Sequence, residues 1–296
     1  MSRRPNRSIV DAVATILGVE PSGWTPVTER GYANNERWIA RLSDGSSAFA
    51  KLAVDARTAA WLRTEYLVYS APNERFLPKM VGWRDEGDMP VLVLENLEDC
   101  LWPPPWSSSS VDAVLGALRQ ISATRPPAGL PSLDSYRRDL ASWARVAAEP
   151  EPFLELGLCS ASWLQAALPA LRDAEDAAKL EGEALVHLDV RSDNICIRGE
   201  SAVLVDWNFA CSGNPLMNIA SWLPSLAAEG GPAPEEVLPE GADELAALVS
   251  GYFAARAGLP PPATAPRVRV VQRQQLEVAL PWAARALGLS VPTPGA

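Results

Sequence analysis

The chain has 296 residues, 48% of them apolar, a formal net charge of −10 and a single histidine, His187. One imidazole excludes zinc sites built on two or three histidines, and a Ser-His-Asp triad would have to use that residue. The acidic balance offers no basic patch for nucleic acid, and no run of about 18 apolar residues is present to span a membrane, so we expect neither partner.

Length and cysteine usage predict the organisation and the compartment. At about 100–200 residues per domain, the length predicts two domains or lobes. The four cysteines are widely spaced and form no C-x-x-C pair. This pattern is typical of free thiols and predicts a cytoplasmic protein.

The first third of the chain is predicted to contain strands and one important helix. Two alternating runs, 37–42 and 47–52, flank a Gly-containing turn and predict a β-hairpin. Asp55 opens a stretch with helical spacing of apolar residues through about Ser70. The continuous apolar run 90–94 then predicts a buried strand.

A change in composition marks the expected lobe boundary. Residues 95–110 contain three consecutive prolines, two tryptophans and four serines, as a linker or an ordered loop would. We therefore expect an N-lobe over 1–96 and a C-lobe over 97–296. The C-lobe is predicted to be mainly helical, with two short strands at 184–186 and 202–205. Its expected helices are 111–123, 132–148, 160–180, 215–227, 242–257 and 266–287.

The segment that carries chemistry begins at the lone histidine. His187 is followed by Asp189 and Asn194, and Asp206 follows the apolar strand 202–205. H-x-D-x-x-x-x-N with a later Asp at a strand end matches a kinase catalytic loop and its metal-binding aspartate. Phosphoryl transfer needs a carboxylate beside the acceptor hydroxyl and oxygen ligands for Mg²⁺. A polar turn between two strands is the alternative, but the full spacing favours a phosphotransferase.

These motifs resemble the aminoglycoside phosphotransferase-like family, the small-molecule branch of the protein-kinase-like fold. The resemblance implies an α+β, bilobal fold with an antiparallel sheet in the N-lobe. It also implies that Asp189 is the catalytic base, while Asn194 and Asp206 bind the metal. Lys51 stands at the position of the family's phosphate-clamping lysine, and Glu65 at that of its partner glutamate. An exposed strand lysine and a solvated helix glutamate are the alternatives for these two.

Further site residues follow from the same resemblance. Glu95 and Leu97 stand at the hinge, where the adenine would meet backbone groups. Gly31 is expected in the loop that covers the phosphates, although the glycine-rich pattern is otherwise missing. Arg191 either neutralises charge in the transition state or only pairs with Asp193.

The segment departs from the family pattern at several positions. Leu188 replaces the usual Gly between His and Asp, and Asn218 replaces an Asp expected to steady the catalytic loop. Asn208, in Trp207-Asn208, replaces the Gly of the protein-kinase Phe-Gly and argues against a protein-kinase activation switch. His187 is expected to hold the loop rather than to transfer protons, because Asp189 already supplies a proton acceptor. Trp61, within the predicted helix, is expected in the core.

The predicted reaction is transfer of the γ-phosphoryl group of ATP, or of GTP, to a hydroxyl of a small molecule, with Mg²⁺ as cofactor. The acceptor is open: an aminoglycoside-type antibiotic, or a metabolite such as an amino alcohol, a sugar or homoserine. A cationic acceptor is one option, suggested by a group of acidic C-lobe residues, although a solvated loop and helix start is the favoured explanation of them. A catalytically silent nucleotide-binding regulator is the alternative function, and the protein is expected as a monomer or a homodimer. The acidic residues are Glu235, Glu236, Glu240, Asp243 and Glu244.

Overall fold

The computed structural model describes residues 4–28, 35–70, 74–87, 89–239, 241–263 and 265–293. Residues 4–95 form one antiparallel sheet and two helices. The sheet has the strand order β1-β2-β3-β5-β4, and β2 and β3 form the predicted hairpin. The strands are β1 (Gly23–Pro26), β2 (Glu36–Arg41), β3 (Ser47–Leu52), β4 (Met80–Arg84) and β5 (Val91–Glu95), and the helices are α1 (Arg7–Leu17) and α2 (Ala56–Tyr69).

Helix α2 begins where its sequence places a capping residue. The Asp55 side chain accepts the Thr58 N–H at 2.7 Å, and the Thr58 hydroxyl accepts the Asp55 N–H at 3.0 Å. This reciprocal cap satisfies two of the donors that a helix start leaves free. The helix then carries Glu65 and Tyr69 as buried side chains on its sheet-facing side.

The second part of the chain is mainly helical, as predicted. A continuous core of aliphatic residues and buried tryptophans, including Trp143 and Trp222, joins these helices. The elements are α3 (Ser108–Ala123), α4 (Arg137–Leu140), α5 (Trp143–Ala148), α6 (Glu151–Leu154), α7 (Ala161–Ala177), β6 (Ala184–Val186), β7 (Ile195–Arg198), β8 (Ser201–Leu204), β9 (Cys211–Gly213), α8 (Leu216–Ala228), α9 (Pro234–Val237), α10 (Asp243–Ala257) and α11 (Val268–Ala286).

One predicted helix is wrong. The expected helix over 132–148 is interrupted, because Ala141 takes an extended conformation after α4. The buried carboxylate of Glu175, on α7, accepts the N–H groups of Ser142 and Trp143 at 2.9 Å each. Glu175, 32 residues after Trp143, therefore caps the start of α5, where a new helix begins.

Two small antiparallel ribbons hold the loops of interest. β6 pairs with β9, and β7 pairs with β8. The segment from His187 to Asn194 lies between β6 and β7, and Asp206 lies between β8 and β9. The Val205 N–H donates to the Asn194 carbonyl at 2.9 Å, which ties the two loops together.

Among the described residues, no helix has the length and apolar character needed to cross a bilayer.

Candidate active site

A buried ionic cluster joins the sheet, helix α2 and the Asp206 loop. Nζ of Lys51, on β3, lies 2.5 Å from Glu65 Oε1 and 2.6 Å from Asp206 Oδ1. The side chains of Lys51 and Glu65 are 5% and 1% exposed. The alternatives of an exposed strand lysine and a solvated glutamate therefore do not describe these residues.

Charge and burial compete in this cluster. Burial alone would lower the pKa of Lys51, but Asp206 and Glu65 outweigh it, so the pKa is raised. Burial would raise the pKa of Asp206, but Lys51 outweighs it and the pKa is lowered. For Glu65 burial wins over Lys51, and its pKa rises to about 7. Lys51 and Asp206 are thus held as an ion pair.

Arg37 is a site residue that the sequence analysis missed. It lies on β2 directly opposite Lys51 in the hairpin register. Burial lowers its pKa, against the opposing influence of Asp206, Glu65 and Asp193. The hairpin turn could have revealed it, because the pairing register across a short turn puts Arg37 beside Lys51.

A first pocket of about 260 Å³ opens over this cluster. One end has apolar walls, and the other is lined by charged and amide groups. The apolar walls include Val27, Ile39, Phe49, Leu94 and Val205, and the polar end includes Arg37, Lys51, Glu65, Asp193, Asn194 and Asp206. Such a shape accommodates a flat apolar ring joined to an anion.

Glu95 and Leu97 also line the first pocket, at the end of β5. The Glu95 N–H donates to the Lys79 carbonyl at 2.9 Å. The Leu97 carbonyl accepts from the Cys100 N–H and from Trp102 Nε1, both at 3.1 Å. Gly31, the residue expected in the phosphate-covering loop, lies outside the described residues.

The loop after β6 presents its carboxylate within a network of short contacts. Asn194 Nδ2 donates to the Asp189 carbonyl at 2.9 Å and to Asp189 Oδ2 at 3.0 Å. Arg191 Nε lies 3.1 Å from Asp189 Oδ1, and its Nη2 lies 3.0 Å from Asp193 Oδ2. Arg191 pairs with the two carboxylates at once, and this position fits both roles considered for it.

Burial raises the pKa of Asp189 to about 6, although Arg191 opposes the shift. The Asp189 side chain is still 29% exposed, so a solute can reach it. A carboxylate with this pKa is ionised at neutral pH and is a better proton acceptor than an ordinary aspartate.

His187 supports the loop from behind. Its ring lies 4.4 Å from that of Trp207, its Nε2 lies 3.0 Å from the Val205 carbonyl, and its Nδ1 accepts the Asp189 N–H at 3.3 Å. Burial lowers its pKa to about 4, so the ring is neutral at physiological pH. Both ring nitrogens are engaged with backbone groups.

Asn218 fixes the same loop from α8. Its Oδ1 accepts the His187 N–H at 2.8 Å, and its Nδ2 donates to the Leu185 carbonyl at 2.9 Å. The residue is fully buried. An amide provides both an acceptor and a donor here, whereas an ionised Asp would only accept, so the departure from the family pattern suits this geometry.

The residues expected to bind a metal supply oxygen atoms at one place. Asn194 and Asp206 both line the polar end of the first pocket. Within the described part of the chain, no group of three or more His, Cys, Asp or Glu side chains forms a metal cage. One amide and one carboxylate fit Mg²⁺, which keeps water and phosphate oxygens as its other ligands.

Comparison with known proteins identifies the family. A model of the phosphotransferase enzyme family matches residues 20–263. The chain belongs to this family. It is a small-molecule kinase that transfers phosphate to a hydroxyl group. No curated protein matches the sequence.

Solved structures resemble this phosphotransferase in fold. An amicoumacin kinase in complex with AMP-PNP and Ca²⁺ is 12% identical, with 93% of each chain covered and a TM-score of 0.58. A choline/ethanolamine kinase family protein from Mesorhizobium loti is 17% identical, covers 95% of this chain and 98% of its own, and has a TM-score of 0.57. A macrolide 2′-phosphotransferase from Brachybacterium faecium is 18% identical, covers 98% and 100%, and has a TM-score of 0.52. The predicted bilobal α+β fold is confirmed.

The phosphotransferase has a second pocket, of about 480 Å³, on the other side of Asp206. Asp189, Arg191 and Asp206 line one side of it, and Asp206 lines both pockets. Helices α10 and α11 supply the largest share of the remaining wall, and α2 adds Trp61. Residues from these helices include Trp61, Val249, Tyr252, Arg256, Val271 and Gln275.

Two expectations change at the second pocket. Trp61, expected in the core, is half-buried and lines this pocket, with its ring centroid 5.7 Å from that of Phe209. Of the acidic C-lobe residues, Glu235 pairs with Arg285 at 2.5 Å and Glu236 caps α9 by accepting the Ala233 N–H. Neither lines the second pocket, and Glu240 lies outside the described residues.

Leu188 has a backbone conformation that favours glycine. Its φ is 65°, in the left-handed region, and its side chain lines the second pocket. A leucine in this region is under strain, which the surrounding structure must hold. The glycine usual in the family would relieve that strain and would also remove a side chain from the pocket wall.

Proposed function

We propose that this phosphotransferase moves the γ-phosphoryl group of ATP to a hydroxyl of a small molecule, with Asp189 as the base. The observation that carries the proposal is that the two pockets meet at Asp206. Lys51 and Asn194 stand on the side of the first pocket, and Asp189 on the side of the second. A donor in the first pocket would then face an acceptor in the second.

The first pocket is proposed to bind the nucleotide. Its apolar end suits the base, and backbone groups of Glu95 and Leu97, which line this pocket, are proposed to bond its edge. Lys51 and Arg37 would hold the phosphates, with Glu65 orienting Lys51. GTP is the alternative donor, and Gly31 remains a sequence-based expectation for the phosphate-covering loop.

Asn194 and Asp206 are proposed to hold Mg²⁺. Bound Mg²⁺ supplies positive charge that offsets the charge on the phosphates. Lys51 already holds Asp206 in its ionised state, so this ligand needs no proton loss before it binds a metal.

In the reaction, Asp189 orients the acceptor hydroxyl and takes its proton as the oxygen bonds to the γ-phosphorus and ADP leaves. Arg191, 3.1 Å from Asp189, keeps the carboxylate pointed at the junction and adds positive charge there. His187 and Asn218 position the loop. We expect the enzyme to act in the cytoplasm, in keeping with its four free cysteines, as a monomer or a homodimer.

The test is an acceptor screen followed by ³¹P spectroscopy with Mg²⁺ and ATP. A phosphomonoester and ADP should form in equal amounts, and only when an acceptor is present. Aminoglycosides, amino alcohols, sugars and homoserine make up the screen. Tight Mg-ATP binding without turnover on any acceptor would favour the silent regulator, and the absence of both would overturn the proposal.

A further inference from the structure

We propose that the acceptor of this kinase is a hydroxyl compound with an aromatic or other flat apolar body, and not a polycationic sugar. The inference rests on the proposed function, since it takes the second pocket as the acceptor site. Three observations carry it: the pairing of the carboxylates, the aromatic wall and one unsatisfied buried amide.

The carboxylates of the second pocket already have cationic neighbours. Asp206 lies 2.6 Å from Lys51, and Asp189 lies 3.1 Å from Arg191. Asp139, at the exposed rim, has Arg145 at 3.6 Å. A polycationic acceptor needs free carboxylates, and here it would meet the guanidinium groups of Arg191 and Arg256 in the wall instead.

Part of the wall of the second pocket is apolar and aromatic. Trp61 and Phe209 form an edge-on pair, and both are half-buried while lining the pocket. Leu188, in the catalytic loop, and Val271, on α11, add further apolar side chains to the lining. Half-buried aromatic rings at a pocket offer a large contact area to a flat apolar group.

Asn208 supplies a further polar group to the second pocket. It is 5% exposed and lines the second pocket two residues after Asp206. Its Oδ1 is buried and has no hydrogen-bond partner among the described residues. A buried amide oxygen requires a donor, and a second hydroxyl of the ligand, beside the one that gives its proton to Asp189, would supply one.

The size of the pocket agrees with this class of ligand. At about 480 Å³ it is larger than the first pocket and falls within the range of drug-sized ligand sites. A flat ring carrying a sugar or a short hydroxylated chain fits this volume.

The test compares three probes by calorimetry in the presence and absence of Mg-ATP. 4-Nitrophenyl β-glucoside and methyl β-glucoside carry the same sugar hydroxyls and differ in the aromatic ring, and kanamycin is the polycation. The aryl glucoside should bind at least about tenfold tighter than methyl glucoside, and kanamycin should bind no tighter than methyl glucoside. Kanamycin binding most tightly, or equal affinities for the two glucosides, would overturn the proposal.

Matched variants localise the preference. Trp61→Ala should remove most of the preference for the aryl glucoside and leave Mg-ATP affinity unchanged. Trp163→Ala is the control, a half-buried tryptophan on α7 that bonds the Ser290 carbonyl and should retain the preference. An undiminished preference in Trp61→Ala would contradict the proposed aromatic wall.

Asn208 is tested with the same probes. Asn208→Ala should lower the affinity for both glucosides by a similar factor, about tenfold, and Asn208→Ser should recover part of the lost affinity. Unchanged affinity of both glucosides for the Ala variant would show that the amide does not contact the sugar. The acceptor preference is measured by binding and does not depend on turnover. If Mg-ATP does not bind, that result counts against the proposed function and not against the acceptor preference.

Discussion

The first and second pockets share Asp206 but are built from different kinds of residue. The polar end of the first pocket is a buried cluster of opposite charges on a hairpin, a helix and a loop: Arg37, Lys51, Glu65 and Asp206. The second pocket is larger, and its wall combines apolar side chains from helices and loops with the charged groups around Asp189. Under the proposed function, the first pocket fixes the chemistry and the second selects the acceptor, so changes in the two pockets should give different signatures.

The largest stability effect is expected from Lys51→Met. The substitution leaves Glu65 and Asp206 buried without their cation, and removing one partner of a buried ion pair costs about 3–5 kcal/mol. Nucleotide affinity should fall as well. Urea denaturation and calorimetry measure the two losses.

The matched control for this prediction is Lys179→Met, at an exposed lysine. Surface substitutions of this kind change stability by less than about 0.5 kcal/mol. Equal stabilities of the two variants would mean that the charged cluster is not a structural feature of the first pocket.

The pH profile should reveal the base on the side of the second pocket. Burial raises the pKa of Asp189 to about 6, so the carboxylate takes up a proton as the pH falls through that value and can no longer accept one from the acceptor. The kcat/KM for the acceptor should then drop about tenfold per pH unit below pH 6 and be level above it. Steady-state rates at saturating Mg-ATP provide the measurement.

Two other groups must be separated from Asp189 in that profile. The pKa of His187 is lowered to about 4 by burial, so the histidine does not titrate near 6. Burial raises the pKa of Glu65 to about 7, and the variant Glu65→Gln removes this group. The fall of kcat/KM below pH 6 should persist in Glu65→Gln. If the fall disappeared in this variant, it would be caused by Glu65 in the first pocket.

A smaller effect is expected from the strain at Leu188. Because φ is 65°, Leu188→Gly should be more stable than Leu188→Ala by about 1 kcal/mol. Both variants lose the side chain, so the difference isolates the backbone. At Arg172, exposed within α7, the order should reverse, with Gly less stable than Ala. If the Gly and Ala variants had the same order of stability at both positions in denaturation experiments, the backbone of Leu188 would not be strained.

The sequence predicted the first pocket better than the second, for a physical reason. The hairpin of 37–42 and 47–52 and the cap at Asp55 are local patterns, and they place Lys51 beside Glu65, 14 residues further on. The contact of Lys51 with Asp206 spans 155 residues, and the family resemblance is what implied it. The H-x-D-x-x-x-x-N spacing likewise lies within one loop. Local patterns of this kind are readable because side-chain direction follows from backbone period.

The missed features depend on contacts between distant segments. The break before α5 depends on Glu175, and Trp61 lines a pocket whose other walls come from α10 and α11, far along the chain. The positive φ of Leu188 is set by a loop that Asn218 holds from α8. Helical periodicity predicts that Trp61 faces inwards, but it does not indicate whether the side chain packs in a core or lines a cavity.

The most direct test of the account is the single-turnover rate of Asp189→Asn with Mg-ATP already bound. Asparagine keeps the shape and cannot take a proton, so the rate should fall by about 10²–10⁴ while Mg-ATP affinity stays within about threefold of wild type. Asp193→Asn, on the same loop and also paired with Arg191, should retain most of the rate. A wild-type rate in Asp189→Asn would contradict the claim that this carboxylate is the base between the two pockets.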